Sequence, residues 1–185
     1  MISLLFDKDM FKILTVFSLS PGSKFRRKEF KEKTKLNNIP LDNALSKLNK
    51  INILKKEKRL YSINFENINI KSILEIISKQ YKYLKEIPLN VYFLLIDLIS
   101  EIKLIKAEIY LFGSYSKLIY KENSDIDIAL LDNNLEKETI NKFIKKLEKK
   151  YNKNIELHIF NKTEFYKNKN DPLVKDIIKN GIRLL

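Results

Sequence analysis

The sequence predicts an α+β protein with a mainly helical N-terminal part and, after it, a small mixed sheet flanked by helices. Up to residue 104, apolar side chains recur largely at the spacing of amphipathic helices. Beyond that point two short apolar segments, 109–112 and 126–131, are typical of buried strands. The chain has only three glycines, so each is expected where the backbone needs a residue without a side chain.

Composition excludes several classes of protein. The chain has 185 residues, of which 44% are hydrophobic, so it can bury a core and global disorder is not expected. It has no cysteine and one histidine, His158, which excludes a disulfide scaffold, a cysteine–zinc site, a thiol nucleophile and a histidine-rich metal site. The N-terminus lacks the basic region of a signal peptide, and the apolar stretch 91–99 is too short to span a bilayer. We therefore expect a soluble, cytoplasmic protein without a membrane partner.

The positive charge is concentrated in the first third of the chain. There are 36 Lys and Arg against 23 Asp and Glu, a formal net charge of +13, and residues 1–66 alone carry a net charge of +8. A compact basic module favours a polyanionic partner. The alternative is a general bias towards Lys, Ile and Asn, which an AT-rich genome or a hot habitat could produce.

Three helices are predicted before residue 52. Asp7 or Asp9 can cap the first helix, because a carboxylate accepts backbone N–H groups at a helix start. Residues 26–35 form a short, very basic helix. Pro40 opens a third helix, at a position where a missing N–H costs nothing.

Two apolar segments, 51–54 and 60–63, follow and predict a hairpin with the charged run 55–59 at its tip. Three helices and a basic hairpin resemble the winged helix-turn-helix domain of many prokaryotic regulators. The resemblance covers residues 1–66 and implies duplex DNA as a partner, with the third helix in the major groove and the wing on phosphates. The DNA-binding residues it assigns here are Ser46, Lys47 and Lys50 (beside Asp42 and Asn43) on the helix, and Lys55, Lys56, Lys58 and Arg59 on the wing. The alternative is a winged helix that contacts only protein.

Residues 67–104 predict a helical connector between two domains. Apolar positions recur at helical spacing from Ile70 to Leu84, and Pro88 starts a second helix. The tyrosines of this segment are expected in core or interface packing.

The stretch 109–131 carries the most informative pattern. An apolar strand runs into Gly113-Ser114, and ten residues later Asp125-Ile126-Asp127 opens a second apolar strand. Side chains alternate along a strand, so the two aspartates point the same way, about 7 Å apart. Two carboxylates so placed can share a pair of Mg²⁺ ions for phosphoryl transfer. Gly113 would let backbone N–H groups approach a triphosphate, to which Ser114 can donate its hydroxyl.

This pattern resembles the motif of the minimal nucleotidyltransferases in the DNA polymerase β superfamily. The resemblance covers about residues 90–185 and implies a nucleotidyltransferase domain over 105–185. It implies that Asp125, Asp127 and a third acid bind two Mg²⁺ ions, and that Gly113, Ser114 and Ser124 bind the nucleotide. Glu156 is the candidate third acid, because it lies on the next predicted strand, on the face opposite Ile155 and Leu157. The alternative is that Glu156 is a solvated edge residue and that the third ligand is absent.

The same resemblance implies a Mg²⁺-dependent transfer of a nucleoside monophosphate from an NTP to a hydroxyl of a protein or small molecule. ATP is the expected donor, and AMP the group transferred. Small members of this family resemble the antitoxins of HEPN–nucleotidyltransferase pairs, which attach AMP to a toxin tyrosine, so a HEPN-type protein is an expected acceptor. The alternative is a DNA-binding transcriptional regulator whose transferase domain only senses nucleotide.

Overall fold

The computed structural model describes residues 7–102, 107–133 and 137–185, and it divides into two compact units. The first unit comprises the described residues up to Phe93, and the second begins at Leu94. This boundary lies inside the helix Leu89–Ile102. The segment 67–104, expected as a separate connector, is therefore divided between the two units.

The first unit combines helices with a three-stranded antiparallel sheet in the order β1-β3-β2. Its helices lie close to their predicted positions, except that the third helix begins at Asn38 and not at Pro40. Strand β1 had no signal, because a strand of two residues has no periodicity. In chain order its elements are α1 (Lys8–Leu19), β1 (Phe25–Arg26), α2 (Arg27–Thr34), α3 (Asn38–Lys50), β2 (Leu54–Glu57), β3 (Leu60–Ile63) and α4 (Ile70–Tyr83).

The hairpin β2–β3 is tighter than the sequence suggested. Leu54 pairs with Ile63 and Glu57 with Leu60, so only Lys58 and Arg59 form the connection. A two-residue loop is the commonest hairpin connection, because its twist matches that of the flanking strands. Residues 55–57, expected at the tip, therefore belong to β2.

Helix α1 lies at the centre of the first unit. Every residue from Met10 to Phe17 is buried, and the helix packs against α2, α3 and α4. Asp7, not Asp9, caps its start, because the Asp7 carboxylate accepts the Met10 N–H at 2.9 Å. The contact with α4 explains why α4 belongs to this unit.

Two buried tyrosines of the first unit differ in how their hydroxyl groups are satisfied. The rings of Tyr81 and Tyr92 meet edge to face, with 5.0 Å between centroids. The Tyr81 hydroxyl donates to the Ile87 carbonyl at 2.8 Å. The Tyr92 hydroxyl is fully buried and has no hydrogen-bond partner within the described part of the chain. Burial raises the pKa of Tyr92 well above its ordinary value.

The second unit contains a four-stranded mixed sheet in the order β6-β5-β4-β7. Strands β5 and β6 are parallel, and the other pairs are antiparallel. The strands predicted at 109–112 and 126–131 are confirmed to within one residue, and Glu156 lies on the next strand, as predicted. In chain order the elements are α5 (Leu89–Ile102, shared with the first unit), β4 (Glu108–Leu111), α6 (Gly113–Lys117), β5 (Ile126–Leu131), α7 (Lys137–Tyr151), β6 (Ile155–Phe160), α8 (Lys162–Lys167), α9 (Pro172–Asn180) and β7 (Ile182–Arg183). No helix in the described ranges is long and apolar enough to cross a membrane.

Helices α8 and α9 cover only part of the sheet face that carries Asp127. Ala129 and Leu131 of β5 pack in a core cluster with Phe165 of α8 and Val174 and Ile177 of α9. Asp127 lies on the same face, because side chains alternate along the strand. The covered part of this face thus lies further along β5 than Asp127.

Two buried carboxylates tie elements of the second unit together. Asp97 of α5 accepts the Tyr151 hydroxyl at 2.6 Å and pairs with the Lys150 ammonium at 2.8 Å. Glu108 of β4 pairs with Lys162 at 2.7 Å and accepts the Tyr166 hydroxyl at 2.7 Å. Burial alone would raise the pKa of Glu108, but the bonds from Lys162 and two tyrosines leave that pKa below its ordinary value.

We expect Tyr92→Phe to leave the free energy of unfolding unchanged or to raise it by about 1 kcal/mol, because it removes a buried group without a partner. Tyr81→Phe is the matched control and should lower it by about 1 kcal/mol, because the Ile87 carbonyl loses its donor. Urea unfolding of both variants measures the difference. A larger loss in Tyr92→Phe than in Tyr81→Phe would contradict this account of the core.

Candidate active site

Neighbouring strands bring two of the expected acidic residues together. Asp127 of β5 pairs with Glu156 of the parallel strand β6, so both side chains lie on the same face of the sheet. Asp125 directly precedes β5 and is exposed. Its carboxylate lies close enough to Asp127 to help raise the pKa of Asp127.

The backbone at Gly113 lies directly against the Asp127 side chain. The Phe112 N–H donates to the Asp127 carbonyl at 3.0 Å, and the chain then turns into α6 with a φ of 64° at Gly113. A Cβ at this position would collide with the Asp127 carboxylate. Glycine is therefore required here for two reasons, the left-handed backbone conformation and the lack of space.

The Asp127 carboxylate is partly buried among groups of both signs. Burial raises its pKa above the ordinary value, and the nearby carboxylates of Glu156 and Asp125 add to this shift. A hydrogen bond from the Ser114 backbone N–H and the proximity of His158 act in the opposite direction. A cation bound at this carboxylate would offset the cost of its ionised form.

Glu156 has a direct partner that sequence analysis did not assign. Its Oε1 lies 3.0 Å from the His158 Nε2, and more than half of the Glu156 side chain is exposed. The His158 ring packs edge-on against Phe112, with 5.4 Å between centroids. His158 is thus a packed strand residue, and it also contacts the carboxylate of the candidate third acid.

The segment between Gly113 and Asp125 is anchored at both ends. Lys117 forms an ion pair with Asp176 of α9 at 2.8 Å. The Ser124 hydroxyl accepts the Lys121 N–H at 2.8 Å and closes the turn before Asp125. The ion pair ties α6 to α9, and the turn closed by Ser124 fixes the backbone just before Asp125.

The side chains near Asp127 offer oxygen atoms as ligands. Within residues 7–102, 107–133 and 137–185, no group of three or more His, Asp or Glu side chains is placed to hold a metal ion together. Mg²⁺ is commonly bound through one or two carboxylates, with phosphate and water oxygens completing its coordination. The pair Asp125 and Asp127 fits that mode of binding.

The residues expected to contact DNA lie at the surface of the first unit. Some of them form ion pairs, one lies over an aromatic ring, and the others are exposed. Lys47 pairs with Asp7 at 3.2 Å, and Lys55 with Glu66 at 2.8 Å. The Lys56 ammonium lies over the Tyr61 ring. The remaining residues expected to bind DNA are exposed: Ser46, Lys50, Lys58 and Arg59.

We expect Gly113→Ala to lower the free energy of unfolding by about 1–3 kcal/mol, because the new methyl group must displace the Asp127 carboxylate and the backbone is left-handed. Gly22→Ala is the matched control, since a Cβ there meets nothing within 4 Å. Thermal unfolding compares the two. Equal stability of both variants would mean that Gly113 and Asp127 are not in close contact.

The comparisons with known proteins agree with this geometry. Residues 94–185 match the family model described as a nucleotidyltransferase domain, and the match starts where the second unit starts. No curated protein and no solved structure matches the chain. Domains of this family use an NTP and divalent metal ions in general. The second unit is therefore a nucleotidyltransferase domain, and the protein is a transferase enzyme.

Proposed function

We propose that the protein transfers AMP from ATP, in a Mg²⁺-dependent reaction, to a hydroxyl group of a protein or small molecule. The observation that carries the proposal is the contact of the Gly113–Ser114 backbone with the Asp127 carboxylate. The backbone at Gly113 carries no side chain, so its N–H groups can approach and donate to phosphate oxygens. The adjacent carboxylates can hold the cations that neutralise the charge of a triphosphate.

Each residue of the site has a role in this reaction. Asp125 and Asp127 would hold Mg²⁺, two ions by the two-metal scheme. Gly113 and Ser114 would bind the phosphates, and Ser124 would hold the turn that presents Asp125. Bound Mg²⁺ neutralises phosphate charge and makes the acceptor hydroxyl more acidic. Glu156 would orient this hydroxyl and accept its proton, with His158 positioning the Glu156 carboxylate.

A tyrosine hydroxyl of a HEPN-type protein is the acceptor that we propose first. The partly exposed Asp127 and the exposed Asp125 and Glu156 are open to a hydroxyl that a partner protein presents. The competing function is a regulator that only senses nucleotide. The pairing of Glu156 with His158 favours this function if it keeps Glu156 from serving as the third metal ligand. Incubation with labelled NTPs, Mg²⁺ and a HEPN-type protein separates the two, because only the enzyme labels an acceptor.

For residues 1–66 we propose a winged helix that binds duplex DNA. The order of helices and the hairpin support this, as do exposed cations on α3 and at the tip of the hairpin. Lys58 and Arg59 form the loop and have no acidic partner among the described residues, so their charges are available to phosphates.

We expect Asp127→Asn to abolish transfer while the free energy of unfolding at pH 7 rises by a few tenths to about 1 kcal/mol. The raised pKa of Asp127 means that its ionised form destabilises the folded state. The gain should therefore be present at pH 7, fade as the pH falls through the ordinary range of a carboxyl pKa, and vanish below about pH 3, where the carboxyl is protonated in both states. Urea unfolding at both pH values measures it. Transfer that persists in an Asp125→Asn, Asp127→Asn double variant would refute the enzymatic role of this site.

We expect Glu156→Gln to lower the transfer rate by about 10²–10⁴-fold, the usual contribution of a positioned base, while nucleotide still binds. Glu138→Gln removes an exposed carboxylate of α7 and serves as the control that should leave the rate unchanged. Single-turnover transfer and nucleotide titration separate rate from binding. A wild-type rate in Glu156→Gln would remove Glu156 from the site.

Changing Lys55, Lys56, Lys58 and Arg59 together to Ser should weaken duplex DNA binding by about tenfold or more at low salt and flatten its salt dependence. The double variant K58S/R59S should account for most of this loss. K71S/K82S, which removes the same charge from exposed positions of α4, should have little effect. Gel retardation over a salt series measures all three. Absence of DNA binding by the unmodified protein at low salt would assign this unit to protein recognition.

A further inference from the structure

Strand β6 forms one edge of the sheet in the second unit. The sheet order β6-β5-β4-β7 leaves one side of β6 without a neighbouring strand. The carbonyls of Asn154 and Phe160 accept N–H groups from Ile126 and Asp132, on the side of β5, at 3.0 and 3.1 Å. Backbone groups alternate in direction along a strand, so residues 155, 157 and 159 point theirs away from β5.

The outward N–H groups of β6 differ in how they are satisfied. The Glu148 carboxylate of α7 accepts the Ile155 N–H at 2.9 Å and covers that end of the edge. The N–H groups of Leu157 and Ile159 have no acceptor within the described part of the chain. Both residues are only partly buried. An edge with unpaired N–H and C=O groups is a template for a further strand.

Strand β6 also lacks most of the features that protect sheet edges. Such edges are usually very short, or carry a lysine, a proline or a bulge. The opposite edge strand, β7, has only two residues. Strand β6 has six residues, with neither lysine nor proline, and its register with β5 runs without a bulge over its whole length. This edge therefore favours a partner strand.

The sequence of β6 is complementary to itself in the antiparallel direction. Residues 155–159 read Ile-Glu-Leu-His-Ile. When two copies run antiparallel about Leu157, each isoleucine faces an isoleucine and each glutamate faces a histidine. Leu157 faces its own copy, as a two-fold symmetric interface requires. The Cβ atoms of Glu156 and of the facing His158 would be about 5 Å apart, close enough for a carboxylate to contact an imidazole.

We infer that two copies of the chain join through their β6 strands, antiparallel and centred on Leu157, so that His158 of each copy lies beside Glu156 of the other. The N–H groups of Leu157 and Ile159 then donate to carbonyls of the second copy. A standard interface involves about 20–30 residues on each side. One strand of six residues supplies far fewer, so the association should be weak and should depend on concentration.

The pairing makes the second copy part of the candidate active site. His158 of the second copy would be a positioning residue for Glu156, the candidate third acid. This consequence rests on the proposed nucleotidyl transfer, whereas the strand pairing itself does not.

Single-cysteine variants of the full chain test the register, because the chain has no cysteine of its own. Leu157→Cys should form a disulfide-linked dimer under mild oxidation, since opposite residues of such a pair have Cα atoms about 5.5 Å apart, within reach of a disulfide. Glu156→Cys mixed with His158→Cys should cross-link faster than either variant alone. Ile119→Cys, at an exposed position outside β6, is the control and should cross-link only by random collision. Equal rates for Glu156→Cys alone and for the mixture would overturn the register.

Sedimentation equilibrium at micromolar to millimolar concentrations, without nucleotide, tests the association itself. Leu157→Pro removes an outward N–H from each copy and keeps the bonds to β5, so it should weaken dimerisation by about tenfold or more. Arg183→Pro is the matched control on the opposite edge. The Leu184 N–H donates to Ile109 of β4 at 2.8 Å, so the Arg183 N–H points away from the sheet. Equal effects of the two prolines would overturn the inference.

A charge exchange gives the same test without proline. His158→Glu should prevent dimerisation, because carboxylates would then face each other across the strand pair. The exchanged variant E156H/H158E restores a carboxylate opposite an imidazole and should dimerise again. Failure of the exchange to restore the dimer would overturn the inference. A monomer at every concentration of the unmodified chain would also overturn it and would leave this edge to a strand of another protein.

Transfer assays distinguish failure of this inference from failure of the proposed function. Cross-linking and sedimentation need no nucleotide, so a dimer that transfers nothing would refute the proposed function and support the strand pairing. In an active protein, the transfer rate per chain should rise with concentration as the dimer forms, while the KM for the nucleotide stays unchanged. A constant rate per chain across the range of dimerisation would overturn the positioning role of the second copy's histidine.

Discussion

The close approach of the Gly113 backbone to the Asp127 carboxylate is the constraint on which the site depends. Strand β4 ends in a hydrogen bond from Phe112 to the Asp127 carbonyl, and the left-handed Gly113 then directs the chain into α6. The Ser114 N–H reaches the carboxylate only because no side chain at position 113 separates them. The same contact makes Asp127 partly buried, which raises its pKa and creates a place where a cation is favoured.

Packing around this contact leaves the reactive end of the sheet open. Helices α8 and α9 cover the far part of the face with Phe165, Val174 and Ile177. Lys117 is drawn away from the carboxylates by its ion pair with Asp176, which ties α6 to α9. The carboxylates at the open end are therefore left without a lysine partner from α6, and this favours metal ions as their counter-charges.

The sequence predicted the parts of this site that are local in the chain. The Gly-Ser and Asp-x-Asp motifs are contiguous in the sequence, and apolar segments mark the longer strands. Alternation along a strand then predicts which face of the sheet carries Glu156. The contacts that hold the site were not predictable, because they join distant residues. Lys117 lies 59 residues from Asp176, and Tyr166 lies 58 residues from Glu108. Strands β1 and β7 are only two residues long, so they exist through tertiary pairing and have no pattern of their own.

The most direct test is a crystal structure of the protein with Mg²⁺ and a non-hydrolysable NTP. The account predicts metal bound by Asp125 and Asp127 and phosphates against the backbone N–H groups of Gly113 and Ser114. It also predicts that Asp127 turns from the Ser114 N–H towards the metal. A triphosphate bound elsewhere, with Asp127 still bonded to Ser114 and no metal at either aspartate, would contradict it.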